Sequence, residues 1–183
     1  RIVQQKYGTR FIHRLDRNTC GVMVFARNEE AEKELLAAFR ERRAEKWYET
    51  LCFHSFKVIQ GTFTAYLLKD EKNARVKIFE KPHPSAEKII TQYSVRKKIG
   101  EYSLVDVCLH SGKTHQIRAH LAFLGNPVVG DEKYGDEALN KKYHVKRHIL
   151  VAKSIAFEGL SALSYLNGKK FVSSFCAEMP SLS

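Results

Sequence analysis

Apolar and polar positions alternate along much of this chain with the two-residue period of β-strands. The alternating stretches are rich in aromatic and β-branched residues, which favours strands over helices. They predict strands at 46–53, 62–68, 74–79, 89–95, 103–109, 149–157 and 170–176. The run 20–26 is apolar throughout and is suited to a short buried strand.

Two segments instead follow the helical period. Asn28 can cap a helix whose first turn is acidic, whose apolar residues reach Phe39 at helical spacing, and whose end is rich in arginine. A second helix is predicted at about 114–124. Gly125 follows it and Pro127 prevents its continuation.

Many strands and few helices predict an α+β fold, with a largely antiparallel mixed sheet flanked by a few helices. The chain has no internal repeat and no Pro- or Ser-rich linker, which indicates a single domain. The stretch 140–148 is basic and polar and is predicted to be a loop. Its residues suit either a solvated surface or a contact with phosphate groups.

Charge is the first indication of a partner. The 183 residues include 31 Lys+Arg and 20 Asp+Glu, a formal net charge of +11. Such an excess is typical of proteins that bind nucleic acid. An apolar fraction of 44% argues against disorder, and no apolar run approaches the ~18 residues of a membrane span, so no membrane partner is expected.

The cysteines indicate a reducing compartment. They are far apart, form no C-x-x-C motif and lie in apolar stretches, so we expect reduced, buried thiols in a cytoplasmic protein. They are Cys20, Cys52, Cys108 and Cys176.

A carboxylate between two arginines is the first candidate for chemistry. Asp16 lies between Arg14 and Arg17, just before the apolar run at 20–26. Nearby cations keep a carboxylate ionised, which suits a nucleophile or an electrostatic stabiliser. The alternative is a structural ion pair that orders a turn.

A second candidate lies on the strand predicted at 46–53. Alternation places Lys46, Tyr48 and Thr50 on one face of this strand. A tyrosine that projects into a cleft can stack on a base and offer its hydroxyl, although a sheet-face aromatic is the commoner case. Lys46 is the candidate cation for lowering the pKa of the Tyr48 hydroxyl, whose ordinary value is near 10.

The third candidate region is 111–135. Arg118 lies with His115 on a flank of the second predicted helix, beside its apolar stripe, and from there can reach a carboxylate elsewhere. His110, His115 and His120 are spaced by five residues, so they do not stack as a metal-binding pair would. No metal site is predicted.

Together these regions resemble the RluA family of RNA pseudouridine synthases, in the family's order and spacing. The matching motifs are HRLDRxTxG at 13–21, K-x-Y at 46–48, T-x-Y-x-V at 91–95 and G-[KR]-T-H-Q-I-R-x-H-L…G-x-P-x-x-G-D-x-x-Y-G at 112–135. Coverage extends from about 11 to 157. Cys20 replaces a usual Ser and Lys113 a common Arg, and both departures are mild.

The resemblance implies the pseudouridine synthase catalytic fold and the isomerisation of uridine to pseudouridine in RNA, without cofactor or metal. Asp16 would be the catalytic aspartate, Tyr48 would stack on the target base, and Arg118 would pair with Asp16. Attack at C1′, attack at C6 and a glycal route remain open. The residues expected to contact RNA are Arg14, Arg17, Lys46, Lys113 and His115.

The resemblance also bears on the rest of the molecule. We expect residues 1–183 to be a catalytic domain truncated at its N-terminus, without the family's upstream strand segment or the S4-like module of many members. The expected substrate is ribosomal RNA, and transfer RNA is the second expectation. The protein is expected to be a monomer. The rival interpretations are a non-catalytic RNA-binding module and a metal-independent ribonuclease that uses His115 or His120.

Overall fold

A computed structural model describes residues 7–180, and eight of its ten strands form one large sheet. The strands are β1 (Arg10–Phe11), β2 (Cys20–Gly21), β3 (Phe25–Ala26), β4 (Ala44–Phe53), β5 (Gln60–Asp70), β6 (Arg75–Phe79), β7 (Glu87–Ile99), β8 (Tyr102–Leu109), β9 (Leu150–Phe157) and β10 (Lys170–Val172). The helices are α1 (Glu29–Arg40), α2 (Gln116–Phe123) and α3 (Glu137–Lys142), with a 3₁₀ turn at Ser164–Leu166.

The large sheet has the order β10-β9-β4-β8-β7-β5-β6, and every neighbouring pair along this path is antiparallel. Strand β2 pairs with β9 in parallel, which makes the sheet mixed. Strands β1 and β3 form a separate antiparallel pair. The predicted α+β class with a largely antiparallel mixed sheet is therefore confirmed.

Helix α1 begins as its sequence predicts. The Asn28 side chain accepts a hydrogen bond from the Ala31 N–H, which satisfies one of the free donors of the first turn. Helix α2 is shorter than predicted because His115 adopts a left-handed conformation, with φ of 55°, directly before it. Helix α3 was not predicted: Asp136 caps it at Leu139 N–H, and it occupies the first residues of the expected 140–148 loop.

The apolar run 20–26 is not one buried strand, and this prediction is wrong. It forms only the two-residue strands β2 and β3. Gly21, with φ of +115°, lies where β2 meets β9 so closely that a Cβ would come 2.2 Å from the Ala152 carbonyl oxygen. The run therefore crosses the edge of β9 first, and only its last residue, Ala26, is fully buried in the cluster with Leu35 and Ile155.

The expectation of buried cysteines is half right. Cys52 and Cys108 are buried, but Cys20 and Cys176 are exposed. Cys20 lies on β2 at the edge of β9, and Cys176 follows β10, which pairs with the same edge. The predicted strand 170–176 ends at Val172, because the chain leaves β9 there.

Both longer helices pack on the sheet. Leu35 and Ala38 of α1 contact Ile155 and Phe157 of β9 in one buried cluster. In a second cluster, α2 packs through apolar residues on the central strands; its buried members include Val105, Val107, Ile117 and Leu121. Within residues 7–180, no helix is long and apolar enough to cross a membrane.

Candidate active site

A cleft over β4 brings the three predicted catalytic residues together. Asp16, Tyr48 and Arg118 all line it, although they lie in separate parts of the chain. Its walls are the end of α1, at Phe39, and the start of α2. We call this space, with a volume of about 110 Å³, the central cleft.

A tight turn presents Asp16 to this cleft. The Thr19 N–H donates to the Asp16 carbonyl oxygen at 3.0 Å, and Asn18 adopts a positive φ of 75° within the turn. Thr19 is also anchored from outside: its Oγ1 lies 2.9 Å from His148 Nε2. The close contact at Gly21 fixes the far end of the segment, so the chain that follows Asp16 is attached to β9 and to the residues just before it.

Arg118 joins Asp16 to a second carboxylate. Its Nη1 donates to Asp16 Oδ2 at 3.1 Å, while Nε and Nη2 donate to Asp131 Oδ2 and Oδ1 at 2.7 and 2.8 Å. The Arg118 side chain is 6% exposed and that of Asp16 20%. Although burial alone lowers the pKa of Arg118, the bonds to both carboxylates raise it overall, so the arginine stays charged.

Asp131 is the residue that sequence reasoning missed. Its side chain is fully buried, and Oδ1 also accepts hydrogen bonds from the backbone N–H groups of Lys133 and Tyr134. Burial raises the pKa of this carboxyl, but Arg118 and the backbone donors lower it by more. Asp131 lies in the recognised G-D-x-x-Y-G motif, yet nothing in the motif indicates that it holds Arg118.

Tyr48 reaches the cleft as alternation predicts, but its hydroxyl is not acidified. Burial and the neighbouring Asp16 charge raise the pKa of Tyr48 to about 12. The prediction that Lys46 lowers this pKa is wrong. Burial lowers the pKa of Lys46 itself, and its Nζ lies 5.6 Å from the centre of the Phe39 ring. Tyr48 is therefore a neutral phenol at neutral pH.

His115 is oriented by Tyr134. The Val76 N–H donates to the Tyr134 hydroxyl at 2.8 Å, and that hydroxyl lies 2.9 Å from His115 Nδ1. The Tyr134 hydroxyl can both donate and accept, so it holds the His115 ring in place whichever ring nitrogen carries the proton. Mainly through burial, the pKa of His115 is lowered, which favours the neutral ring.

Comparison with known proteins agrees with this geometry. A sequence model of the family described as RNA pseudouridylate synthase matches residues 3–123, more than half of the chain. The chain belongs to the RNA pseudouridylate synthase family. The resemblance to RluA-type enzymes is thereby confirmed.

The relatives of this chain include bacterial proteins. An uncharacterized RNA pseudouridine synthase of Mycoplasma pneumoniae is 40% identical over 154 residues, which cover 82% of this chain and 47% of the relative. Ribosomal large subunit pseudouridine synthase C of Vibrio cholerae is 32% identical over 149 residues, covering 80% and 46%. The chain thus spans about half the length of the relatives it matches.

Solved structures of the family have the same fold. Human RNA pseudouridylate synthase domain containing 1 aligns with a TM-score of 0.72 at 26% identity, covering 85% of this chain and 66% of that chain. Human RNA pseudouridylate synthase domain containing 4 also gives a TM-score of 0.72, at 23% identity and covering 98% and 77%, which supports the fold alone.

The residues expected to contact RNA divide into two groups in this member of the family. Arg14, Lys46, Lys113 and His115 line the central cleft with Asp16. Arg17 does not; it points into a neighbouring cleft. Lys113 also forms an ion pair with Glu87 of β7, which holds its ammonium at the rim.

The other two histidines near the site are neutral and internal. His13 stacks on Phe39 and accepts the Val24 N–H through Nε2 at 3.0 Å, while burial and, secondarily, Lys46 lower its pKa to about 4. His120 is 1% exposed, its Nδ1 lies 3.0 Å from Thr91 Oγ1, and burial lowers its pKa to about 4. His120 is therefore enclosed, which removes it as the base of a ribonuclease.

No group of three or more His, Cys, Asp or Glu side chains within residues 7–180 is placed to hold a metal ion. The donors and charges of the central cleft come instead from Asp16, Tyr48, Arg118 and His115, with lysines at its edge. Chemically, the cleft offers the carboxylate of Asp16, a neutral phenol and the imidazole of His115 to one substrate group.

Proposed function

We propose that this chain is the catalytic part of an RNA pseudouridine synthase that isomerises uridine to pseudouridine. One observation carries the proposal: Asp16 binds Arg118 through Oδ2 alone, so Oδ1 has no hydrogen-bond partner among residues 7–180. A carboxylate that is fixed through one oxygen and lines a cleft through the other is suited to attack or to stabilise a sugar or base.

The reaction needs no external oxidant and no added group. The C1′–N1 bond breaks, the uracil rotates within the cleft, C5 bonds to C1′, and the C5 proton is lost while N1 takes one up. Asp16 would attack C1′, attack C6, or assist elimination to a glycal, and each route uses the same ionised carboxylate. A uridine inside a helix must first be flipped out to reach this cleft.

Tyr48 supports the proposal as a stacking surface. Base–aromatic stacking is worth about 1–3 kcal/mol per base, and Tyr48 lies beside Asp16 in the cleft. With its pKa raised to about 12, the hydroxyl is a hydrogen-bond donor at neutral pH and not a resting base. We therefore assign ring stacking to Tyr48 first, and proton handling only in a state where Asp16 has lost its charge.

Ribosomal RNA is our proposed substrate class, with transfer RNA second. The support is the net charge of +11 and the similarity to a Vibrio cholerae protein whose name specifies the ribosomal large subunit. A non-catalytic RNA-binding module is the rival, and the aimed carboxylate of Asp16 argues against it.

Release of tritium tests the proposal directly. Ribosomal RNA and transfer RNA are prepared with tritium at uracil C5 from cells lacking the gene, and each is incubated with the protein. Isomerisation releases tritium into water and leaves the strands intact. Shortened strands would indicate a nuclease, and bound but unchanged RNA would contradict the enzymatic proposal. The RNA that releases more label identifies the substrate class.

A further inference from the structure

A second cleft lies beside the central cleft and shares two of its walls. His115 and Arg118 line both spaces. The second has a volume of about 240 Å³ and is otherwise lined mainly by Arg17, Lys133, Arg147 and His148. We call it the basic cleft. Any chain of nucleotides that leaves the central cleft over His115 enters it.

The charge of this cleft is largely unneutralised. Arg17 and Arg147 are exposed, and within residues 7–180 neither makes an ion pair. Lys133 is half-buried, with its Nζ bonded to the Ala74 carbonyl oxygen, which leaves its charge without a carboxylate. Among the residues that line this cleft, Glu132 is the acidic one. Three cations against one acid attract an anion.

The cleft is held rigidly against the Asp16 turn. The His148 ring contacts Thr19, three residues after Asp16, and Arg147 directly precedes His148. Gly130, with φ of +77°, allows the backbone at Arg147 to approach so closely that a Cβ at Gly130 would lie 2.1 Å from the Arg147 carbonyl oxygen. The arginine side chains therefore start from backbone that is fixed relative to Asp16.

We propose that the basic cleft binds a backbone phosphate of the nucleotide next to the target uridine, with Arg17 and Arg147 as its main ligands. The proposal rests on the proposed function, because it assumes that the uridine occupies the central cleft. Arginine is the side chain best suited to this task, since its guanidinium can hold two phosphate oxygens at once. His115, which lines both clefts, forms the wall between base and phosphate.

This assignment divides the basic stretch 140–148. Its first residues belong to α3 and form surface, whereas its end, at Arg147 and His148, reaches the active site. Only that end is assigned to phosphate contact. Lys141 and Lys146 line a different space.

Salt dependence of binding tests the proposal. The probe is a fluorescein-labelled single-stranded oligouridylate of ~12 nucleotides, a length chosen to extend past one base and its neighbours. Affinity is measured from fluorescence anisotropy in rising KCl for the parent chain, Arg147→Ala and Arg17→Ala. Arg27→Ala is the matched control: it removes the same exposed charge, but from the edge of an apolar groove beside Leu35.

The expected result is a shallower salt slope for the two basic-cleft variants. Loss of one phosphate contact should reduce the log–log slope by about 0.7, whereas Arg27→Ala should leave it close to the parent's. A methylphosphonate oligomer, which has no backbone charge, should bind the parent and all variants alike. Slopes for Arg147→Ala and Arg17→Ala equal to that of Arg27→Ala would overturn the proposal.

A second readout separates this proposal from the enzymatic one. In the tritium assay, Arg147→Ala should raise KM by more than it lowers kcat, because a phosphate contact distant from the reacting atoms contributes mainly to binding. If the parent releases no tritium but the salt slopes differ as expected, the enzymatic proposal fails while the phosphate site stands. Normal tritium release with an unchanged KM in Arg147→Ala overturns the phosphate site alone.

Discussion

Two arginines in this molecule each hold two carboxylates, and only one of the clusters lines a cleft. Arg118 binds Asp16 and Asp131 beside the central cleft. Arg96 binds Glu49 at 2.8 Å and Asp106 at 2.9 Å on another part of the sheet. The residue types are nearly identical, so the difference between the clusters lies in how many oxygens remain free.

In the Arg96 cluster, every carboxylate oxygen accepts a hydrogen bond. Both oxygens of Asp106 accept from Arg96; Glu49 accepts from Arg96 through Oε2 and from the Ala177 N–H through Oε1 at 2.6 Å. The cluster thus fastens the C-terminal segment to β4. In the Arg118 cluster, both carboxylate oxygens of Asp131 accept hydrogen bonds, whereas Asp16 accepts through Oδ2 alone among residues 7–180.

Burial is also reversed between the clusters. Arg118 is 6% exposed and Arg96 47%, so water can replace the contacts of Arg96 but not those of Arg118. A buried arginine fixes a carboxylate in one position, while an exposed one tolerates rearrangement. An ion pair alone therefore does not indicate a catalytic site; an unpaired carboxylate oxygen beside a cleft does.

The largest expected difference is between Asp16→Asn and Asp106→Asn. Asp16→Asn should lower single-turnover tritium release by at least about 10³-fold, because the amide has neither the charge nor the nucleophilic oxygen. Its unfolding free energy should stay within about 1 kcal/mol of the parent's, since Asp131 still holds Arg118. Asp106→Asn should retain the parent's rate. Appreciable turnover by folded Asp16→Asn would rule out Asp16 as the reacting carboxylate.

Replacing each arginine by lysine sharpens the comparison. Arg118→Lys should lose about 10²-fold in turnover, because an ammonium cannot reach Asp16 and both oxygens of Asp131 together. It should also destabilise the fold, approaching the roughly 3–5 kcal/mol of a broken buried pair. Arg96→Lys should keep its rate and lose only about 1 kcal/mol. Tritium release and urea unfolding measure the two effects; equal losses of rate in both variants would contradict the distinction.

Asp131→Asn tests whether a carboxylate that touches no substrate still matters. The neutral amide cannot balance Arg118, so the arginine is expected to draw Asp16 out of position and reduce turnover by about tenfold or more. Glu49→Gln, its counterpart in the Arg96 cluster, should lower the unfolding free energy without changing the rate. Higher turnover in Asp131→Glu than in Asp131→Asn would support a positioning role for this carboxylate. Parental turnover in Asp131→Asn would show that Asp16 needs no second carboxylate.

The smallest expected effect is a pH dependence of stability at His13, which lines the central cleft beside Asp16. In the folded chain the pKa of His13 is about 4, below its ordinary 6.5, so the unfolded chain takes up the proton first as pH falls. Its contribution is complete above pH 6.5 and is lost toward pH 4, by up to about 3 kcal/mol. His13→Gln keeps an acceptor for the Val24 N–H but does not titrate.

Urea unfolding at pH 7 and pH 5 is the measurement for this effect. The drop in unfolding free energy should be smaller in His13→Gln than in the parent chain by about 1–2 kcal/mol. An identical drop in His13→Gln would show that His13 is not held neutral in the folded chain.

Much of the local structure follows from the sequence. Asn28 capped α1 as expected, and the strands containing Tyr48 and Val107 were located with errors of a few residues at their ends. The three motifs identified the residues that line the central cleft. Alternation also placed Lys46 and Tyr48 on one face of β4, and both line that cleft.

The wrong predictions all relied on residues that are neighbours in the sequence. The segment 20–26 has the composition of a buried strand, but β9 has only its edge available there, so the segment crosses that edge and Cys20 is exposed. Lys46 is close to Tyr48 in sequence, yet burial and Asp16 decide the pKa of the phenol. In each case a residue distant in the chain, or the depth of burial, outweighs the nearest neighbours.

The sequence by itself determined the α+β class, the cap of α1, the alternation of β4 and the membership of the family, because these depend on neighbouring residues and on the order of motifs. The family resemblance already implied that Arg118 pairs with Asp16, 102 residues away. Only the tertiary structure decided that Arg118 holds Asp16 through one oxygen and Asp131 through two. Whether a carboxylate becomes saturated or keeps an oxygen for substrate depends on contacts between distant segments. No local pattern encodes those contacts, so the motifs around Asp16 and Arg118 do not show which carboxylate keeps a free oxygen.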